Sequence, residues 1–513
     1  MFVRKNKNRS GSISVQIISK ENGGYKVIET IGSGRTREEI TELCLEAQTR
    51  LHQRQFPNQA SLFLYPDEII VRSFIEGLSN RQIQTVGPEL VFGFLFDCIG
   101  FNAIKDDLFR HLVIARLAYP TSKLKTVDYL KRYKNISLSP SSLYRFLDKL
   151  HSRYQGRVEE IAFRHTKKKL KGNIAIVFYD MTSLYFEAED EDDLRRIGFS
   201  KDGKFHKPQI MLGLLVGERG LPISYNIFQG NAFEGHTLLP TLKRIGQRYA
   251  FKKPIVVADA ALLSKDNLTG LTQEGYQFIV GARIKNETAQ LKQNILIKAR
   301  AMKDGDSSII KKQGKTRLII TYSDKRAKQD QYHRERGLKK LKEKINNGKL
   351  TKEHINNRGY VKFLTLIGET TIKLNEAKIS EDKKWDGLKG YITNTRLSAK
   401  KVAENYGHLW QIERAFRISK TDLRIRPIYH FQKKRIEAHI CIAFASYAIY
   451  KELEGLLIKH KINISPRRAA ELTHNMYGIE LTLPKSHKKE LVILKMDREQ
   501  ELLLSTIKKH PTS

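Results

Sequence analysis

The sequence predicts an α/β protein whose centre is a mixed β-sheet. The first observation is NIAIVFYD, a continuous apolar run that follows Gly172 and ends in an acid. The second is QIMLGLLVGERGLPISYNIFQG, which has the pattern of two strands joined by a turn that contains glycine. A helix (PTLKRIGQRYAF) and two further strands (in KKPIVVADAALLS and YQFIVGARI) come next. This order of strands and helices is typical of a mixed α/β domain with a central sheet.

The region before this core begins with strands. Residues 1–36 contain two β-rich runs, SISVQIIS and YKVIETIG, on either side of an Asn-Gly-Gly at 22–24. Such a sequence predicts a β-hairpin. We interpret the Gly-Ser-Gly at 32–34 as a turn rather than as the start of a nucleotide-binding loop, because Arg37 stands where a third glycine is needed.

Residues 37–170 have a helical pattern and form the region in which we expect DNA binding. Ser139 and Pro140 have the residue types of a helix start. The apolar residues that follow form one stripe, which comprises Leu143, Phe146, Leu147 and Leu150. Together with the basic helix before it, this segment has the pattern of a helix-turn-helix-like DNA-binding unit. An ordinary pair of packed helices is the alternative.

The rest of the chain divides into four regions by composition. A basic helical run between β-like runs is too long for a loop, so it predicts an inserted subdomain. A strand in WDGLKGYITNT resumes the core pattern, and a helix follows from about 397 to 424. The predicted regions are the first part of the core (171–285), the insertion (286–385), the second part of the core (386–430) and a mixed C-terminal region (431–513).

The charge balance indicates a polyanionic partner. The 513 residues include 92 Lys and Arg but only 55 Asp and Glu, which gives a formal net charge of +37. Nucleic acid is the partner that best explains such an excess, because each neutralised phosphate releases a condensed counterion. The alternative is a basic protein of a salty cytoplasm or of the ribosome. The three cysteines form no CxxC pair, which argues against a zinc ribbon or a disulfide framework. We expect a cytoplasmic protein, since no apolar run is long enough to span a membrane and the basic N-terminus lacks the pattern of a signal peptide.

Three carboxylates stand out by their positions. Asp180 and Asp259 each close a predicted strand, and Glu413 lies inside the helix after the insertion. Acids at the carboxyl ends of strands gather at a sheet edge, where they form an oxygen-rich pocket suited to Mg²⁺ or Mn²⁺. The alternative for each aspartate is a local capping role, and the alternative for Glu413 is an ion pair with Arg417.

The helix that carries Glu413 presents several other candidates. At 3.6 residues per turn, one stripe carries Tyr406, Trp410, Glu413, Arg417 and Lys420. An adjacent apolar stripe carries Leu409, Ile412, Phe416 and Leu423. A helix packed by its apolar stripe and presenting acid, base and aromatic groups on the other can bind a metal and nearby phosphates.

These segments resemble the catalytic segments of bacterial insertion-sequence DDE transposases of the Tn5/IS4-type superfamily. The resemblance rests on VFYDMTSLYF, VVADAALLS and the block around YGHLWQIERAFRISK. The family signature is Tyr, Arg, Glu and Lys at fixed spacing, and Tyr406, Glu413 and Lys420 match it. Leu409 stands where the family has Arg, so Arg414 or Arg417 becomes the alternative phosphate contact.

The resemblance implies a ribonuclease-H-like core with a β-rich, basic insertion before the last acid. It implies that Asp180, Asp259 and Glu413 hold two Mg²⁺ or Mn²⁺ ions and catalyse phosphodiester hydrolysis and strand transfer. It also implies that Tyr406, Trp410, Arg417 and Lys420 contact DNA. The implied partners are double-stranded element ends and target DNA, held by a homodimer in the bacterial cytoplasm, with neither a membrane nor a nucleotide cofactor involved.

Two further segments contain acids that lie outside this set of three. Glu234 and His236 follow a strand and are placed near the active site by the resemblance, although a helix cap is the simpler role for His236. The acidic run at 187–193 is interpreted as a solvated loop. Two other functions remain open at this point: a DNA-binding protein with an inactive transposase core, and a structure-specific nuclease of the same fold.

Overall fold

The computed structural model describes all residues except 22, 56–65, 250–251, 261–263, 313, 348–358, 368–370, 483–485 and 511–513. The described chain divides into two compact units, Met1–Gln82 and Ile83–Ser513.

The first unit is a small antiparallel sheet with helices. Its strands β1 (Phe2–Lys7), β2 (Ile13–Glu21) and β3 (Gly24–Gly34) pair in chain order, and α1 (Arg37–Gln55) and α2 (Pro66–Gly77) follow. The predicted hairpin is confirmed as β2–β3, although Asn22 lies outside the described residues. The predicted turn at 32–34 is wrong, because these residues continue β3. A Cβ on Gly32 would lie 2.6 Å from Leu43 Cδ2, so glycine here allows close packing of α1.

The second unit contains the remaining elements. Its strands are β4 (Ile83–Thr85), β5 (Ile176–Tyr185), β6 (Gln209–Gly217), β7 (Pro222–Gln229), β8 (Ile255–Ala258), β9 (Gln277–Ala282), β10 (Ser307–Lys311), β11 (Arg317–Tyr322), β12 (Leu364–Ile367), β13 (Thr371–Leu374), β14 (Leu388–Thr393), β15 (Tyr477–Thr482) and β16 (Lys489–Ile493). Its helices are α3 (Phe94–Ile99), α4 (Asp107–Ala118), α5 (Lys123–Lys134), α6 (Pro140–Lys149), α7 (Gln155–Lys169), α8 (Leu238–Tyr249), α9 (Lys265–Gln273), α10 (Ala289–Ala299), α11 (Asp324–Asn346), α12 (Glu376–Lys383), α13 (Ala399–Gly407), α14 (Trp410–Arg417), α15 (Lys433–Lys459), α16 (Pro466–Thr473) and α17 (Arg498–Lys508).

An eight-stranded mixed sheet forms the centre of this unit, in the order β10-β11-β14-β9-β8-β5-β6-β7. Strands β5, β8 and β9 are parallel, whereas β6 is antiparallel to β5 and β7 is antiparallel to β6. The expected ribonuclease-H-like mixed sheet is therefore confirmed.

Helices cover both faces of this sheet. Successive residues of β5 belong to different cores, because side chains alternate along a strand. Phe178 packs in a core formed with α3, α4, α6, α7, α14 and α15, whereas Tyr179 packs in a second core formed with α8, α9 and α10. Because both faces of the sheet are buried, its strands are continuous apolar runs in the sequence.

The insertion extends the central sheet. Strands β10 and β11 pair antiparallel beside β14, and the basic helix α11 follows them. Arg334 of α11 is buried and forms a two-pronged ion pair with Asp386, at 2.6 Å and 2.5 Å. This pair ties the basic helix to the segment that leads into β14. The domain boundaries inferred from the sequence remain predictions.

The helical regions follow the sequence pattern closely. Ser139 caps α6 by accepting a hydrogen bond from the Ser142 amide at 3.1 Å, with Pro140 in the first turn. The predicted buried stripe of α6 is confirmed. The mixed C-terminal region consists of the long helix α15, the hairpin β15–β16 and the helices α16 and α17. Strand β4 pairs with β15 and was not predicted. In the described part of the chain, no helix combines the length and apolarity needed to cross a bilayer.

Candidate active site

Asp180 and Asp259 occupy equivalent positions on neighbouring parallel strands. The ladder between β5 and β8 ends with the pair Tyr179 and Ala258, and the two aspartates are the next residues of each chain segment. Adjacent strands lie about 5 Å apart, so the two carboxylates are neighbours. Because side chains alternate between the two faces of a sheet, both aspartates lie on the face that carries Phe178 and packs against α14.

The sequence-based placement of Asp180 at a strand end is wrong in one respect. Strand β5 continues to Tyr185, because β6 pairs with it along its whole length. Only the parallel ladder on the other side stops before Asp180. The placement of Asp259 directly after β8 is confirmed.

Asp180 is an incompletely compensated acid. Burial raises the pKa of Asp180 to about 6, and repulsion by Glu234 and Asp259 adds to that increase, while Lys201 and the Met181 amide oppose it. The Lys201 ammonium lies 3.9 Å from Asp180 Oδ1 and 2.7 Å from Glu234 Oε1. A cation therefore already sits between two carboxylates at this point. Glu234, in the turn after β7, therefore lies close to Asp180, as expected from the sequence.

Tyr406, near the end of α13, contacts Asp259. Its hydroxyl lies 3.5 Å from Asp259 Oδ1, at the limit of a hydrogen bond. The ring is buried and packs against Tyr391 with a centroid distance of 5.0 Å. A Cβ on Gly281 would lie 2.5 Å from the Tyr406 hydroxyl, so the glycine of β9 leaves room for it. Burial and the nearby Asp259 both raise the pKa of Tyr406, which keeps the phenol protonated.

Glu413 lies in the first turn of α14, which packs against β5 and β6. Its side chain is exposed, and it forms no ion pair with Arg417 in the described part of the chain. Burial and the charge of Arg326 lower the pKa of Lys389 of β14, and the charges of Asp259 and Glu413 act in the opposite direction, so both acids lie within electrostatic range of this ammonium. The Lys389 ammonium also lies 4.6 Å from the centroid of the Tyr406 ring.

The single helix predicted from 397 to 424 is wrong. The structure has two α-helices, α13 and α14, and a π-helical turn at Ile418–Asp422. The break at His408 and Leu409 separates Tyr406 from the stripe that carries Glu413. Tyr406 is thereby buried beside Asp259, whereas Trp410 is 50% exposed.

The predicted DNA-contacting cations have different surroundings. Arg417 is exposed, with no ion pair among the residues the structure describes. Lys420 is largely buried and pairs with Asp202, its ammonium 3.1 Å from Oδ2. Leu409 is buried in the core. Arg414 pairs with Glu454 and lies beside the Trp410 ring, which leaves Arg417 as the free alternative to the signature arginine.

The acidic run at 187–193 lies away from regular secondary structure and is mostly exposed, as expected. Asp192 is held locally, because its carboxylate accepts hydrogen bonds from the Leu194 and Arg195 amides.

A cavity of about 400 Å³ opens beside Tyr406. Its lining includes Ala260, which follows Asp259, and the basic residues Arg283, Lys285, Arg326 and Lys389. Arg326 comes from the start of α11, so the insertion contributes charge next to the acids. Such a basic lining suits the phosphates of a nucleic acid strand.

The residue types of the three acids, though not their present spacing, suit a hard divalent cation. Asp180, Asp259 and Glu413 offer carboxylate oxygens, the ligands that Mg²⁺ and Mn²⁺ prefer, and the raised pKa of Asp180 shows that its charge lacks a full counter-ion. Among the described residues, no three His, Cys, Asp or Glu side chains are close enough together to hold one ion.

The comparisons with known proteins identify the class of enzyme. The transposase DDE domain family matches residues 171–449, more than half of the chain, and the protein belongs to this family. It is therefore a DDE-type enzyme of DNA transposition. Enzymes of this class depend on divalent metal ions.

Two solved transposase complexes are similar to the chain at low scores. A cryo-EM synaptic complex of the piggyBac transposase with hairpin DNA has a TM-score of 0.38 and 9% identity, over 83% of this chain and 82% of that one. The Mos1 transposase paired-end complex with the left transposon end has a TM-score of 0.16 and 13% identity, over 46% of this chain and 66% of that one. No curated protein matches the chain.

Sequence reasoning missed the lysines of the site. Lys201 and Lys389 lie in segments without a distinguishing motif, and only the fold brings them to the acids. A signal existed for Lys389, because it stands in a strand pattern whose other residues are apolar or small.

Proposed function

We propose that Asp180, Asp259 and Glu413 are the catalytic acids of this transposase and hold two Mg²⁺ or Mn²⁺ ions. The observation that carries the proposal is the placement of Asp180 and Asp259 side by side where the β5–β8 ladder ends. Glu413 is assigned by its position in α14 and by its spacing from Tyr406 and Lys420 in the family signature, and its charge, like that of Asp259, acts on Lys389. Bound divalent ions would generate the nucleophile at neutral pH and neutralise charge on the scissile phosphate.

The residues of the chain then have separate roles. Tyr406 orients the Asp259 carboxylate through its hydroxyl, and Lys201 stabilises the closely spaced charges of Asp180 and Glu234. Trp410 and Arg417 are exposed on α14 and are available to the DNA next to Glu413. Lys420, held by Asp202, contributes positive potential rather than a free ammonium.

The proposed reaction is hydrolysis at the ends of a mobile element, followed by transfer of the released 3′-hydroxyl to target DNA. The spacing of Tyr406, Glu413 and Lys420, together with the insertion before Glu413, supports assignment to the bacterial insertion-sequence branch. On this proposal a homodimer holds two double-stranded ends on the bacterial nucleoid. The net charge of +37 supports DNA as the partner.

The test uses the single variants D180N, D259N and E413Q, with D193N as a matched control on the exposed acidic loop. Each active-site variant is expected to lose cleavage of duplexes made from the DNA that flanks the coding region, while still binding them. D193N should cut like the wild type. Undiminished cleavage by any active-site variant would remove that residue from the proposal. Cutting without joining of the 3′ end to a target would indicate a nuclease instead.

A further inference from the structure

A second cavity, of about 480 Å³, lies outside the candidate active site. We call it the cationic cavity. It opens between the start of α5, the segment 424–430 and α15, and its basic lining residues are Arg116, Lys123, Lys125, Arg424 and Arg426. His430 and His439 also line it, and no carboxylate does among the described residues. Every charged side chain of the lining is therefore positive.

Two of these cations are buried without a counter-ion. Arg116 is 4% exposed and Lys123 is 5% exposed, and neither forms an ion pair within the described part of the chain. Among the described residues, Arg116 donates to the Leu423 and Arg424 carbonyls alone, at 3.4 Å each. Burial lowers the pKa of Lys123, and the charge of Arg116 lowers it further, so the two cations repel each other. An unpaired buried charge is costly and is normally matched by a partner.

Two other features of the cavity point to a phosphorylated ligand. The first turn of α5 lies in the lining; the Ser122 hydroxyl already caps the Lys125 amide, so the Lys123 and Leu124 amides are the ones that favour negative charge. His439 is 94% buried, and its Nε2 lies 2.9 Å from the Ile425 carbonyl, whereas its Nδ1 has no hydrogen-bond partner. Because Nε2–H donates to the Ile425 carbonyl, Nδ1 carries a lone pair and is left as a buried acceptor, which a protonated oxygen of hydrogen phosphate or a sugar hydroxyl can satisfy.

We infer that the cationic cavity binds a phosphate group. A tetrahedral, multiply charged oxyanion can neutralise Arg116 and Lys123 together and accept hydrogen bonds from the α5 amides. The volume of about 480 Å³ also leaves room for the sugar to which a phosphate is attached. An acidic side chain of a partner protein would bring only one carboxylate to a site with five cations.

The geometry favours a DNA strand as the source of the phosphate, an assignment that rests on the proposed function. Arg426, in the lining, lies 3.3 Å from Asp202 Oδ2, and Lys420 pairs with the same carboxylate. Asp202 follows Lys201, which contacts Asp180. The ion pair of Arg426 with Asp202, the peptide link from Asp202 to Lys201 and the contact of Lys201 with Asp180 therefore place the cationic cavity close to the proposed catalytic acids. Free inorganic phosphate or a nucleotide is the other source of the same chemistry.

The first experiment measures thermal unfolding of the full chain in sodium phosphate and in sodium chloride of equal ionic strength. The wild type should be stabilised saturably by phosphate beyond chloride. The variant K123M should bind phosphate at least tenfold more weakly, yet unfold at a higher temperature than the wild type in chloride, because it removes an unpaired buried charge. K125M, at an exposed lining position, should weaken phosphate binding without risk to the fold. K131M, later on α5 and outside the lining, is the matched control and should resemble the wild type.

The second experiment identifies the source of the phosphate. For a 5′-phosphorylated duplex, K123M should lower the slope of log K against log salt by about one unit if the cavity holds a DNA phosphate. If K123M loses the stabilisation by phosphate but keeps the wild-type slope of log K against log salt, the cavity binds free phosphate instead. Equal unfolding of the wild type in phosphate and chloride, or wild-type phosphate affinity in both K123M and K125M, would overturn the inference. D180N should retain the phosphate effect, so failure of the proposed catalytic role is distinguishable.

Discussion

Replacing Asp180 with Asn should stabilise the protein while abolishing its activity. Burial raises the pKa of the Asp180 carboxyl to about 6 from an ordinary value of 3.8. In the folded state the protonated form is therefore favoured, and at neutral pH the charged form costs stability. The neutral amide of Asn keeps the shape of the carboxyl and removes this cost.

The magnitude follows from the pKa difference of about 2 units, which corresponds to about 3 kcal/mol at 1.36 kcal/mol per unit. Because the folded-state pKa is raised, stability is lost as the pH rises from about 4 through about 6 and stays lost above that. D180N should therefore gain about 3 kcal/mol over the wild type at pH 7 and less than about 1 kcal/mol at pH 4. The side chain is 22% exposed, so little of this cost is relieved by solvent.

The assay is denaturant unfolding of both proteins in EDTA at pH 4 and pH 7, because a bound divalent ion would itself neutralise the carboxylate. D193N is the control: Asp193 is fully exposed, and its replacement should change stability at neither pH. A D180N variant that is less stable than the wild type at pH 7 would refute the claim that the Asp180 charge is uncompensated. A stabilised D180N that still cuts DNA would separate the electrostatics from catalysis and remove Asp180 from the catalytic acids.

Three further predictions concern the rest of the molecule. The free energy of unfolding of Y406F should lie within about 1 kcal/mol of the wild-type value. Its cleavage should fall by about fivefold to tenfold, because the variant loses one hydroxyl contact to Asp259. Paired unfolding and cleavage assays check both values, and unchanged cleavage would contradict the orienting role. R334M should destabilise the insertion by about 3–5 kcal/mol, because Asp386 loses its buried partner. Limited proteolysis would detect this loss as earlier cutting within α11, and unchanged protection would contradict it. Chelation of divalent metal by EDTA should abolish cleavage but leave DNA binding, as measured by gel shift with and without added Mg²⁺.

The sequence was sufficient to predict much of the fold. Continuous apolar runs predicted the strands of the central sheet, because a sheet covered on both faces requires them. Ser139 and Pro140 predicted the start of α6, since capping depends on residues within one turn. The position of Asp259 was predicted for the same reason: the apolar run of β8 ends directly before it.

The predictions that depended on distant partners were less successful. Strand β5 extends beyond Asp180 because β6, some thirty residues later, continues to pair with it. The helix expected from 397 to 424 breaks at His408 and Leu409, although Leu409 is buried as its apolar stripe predicted. The apolar spacing continues across the break, so the local pattern carries no sign of it.

The sequence by itself determined that this chain has a mixed sheet, a large positive charge and three acids in the order of a DDE transposase, because those features reside in composition, periodicity and spacing. Only the tertiary structure decided that Lys201 and Lys389 lie among the acids and that Arg116 and Lys123 share a cavity without a counter-ion. Electrostatic interactions depend on distance in space rather than on separation along the chain. The sequence does not distinguish a buried cation from an exposed one, because burial depends on the fold.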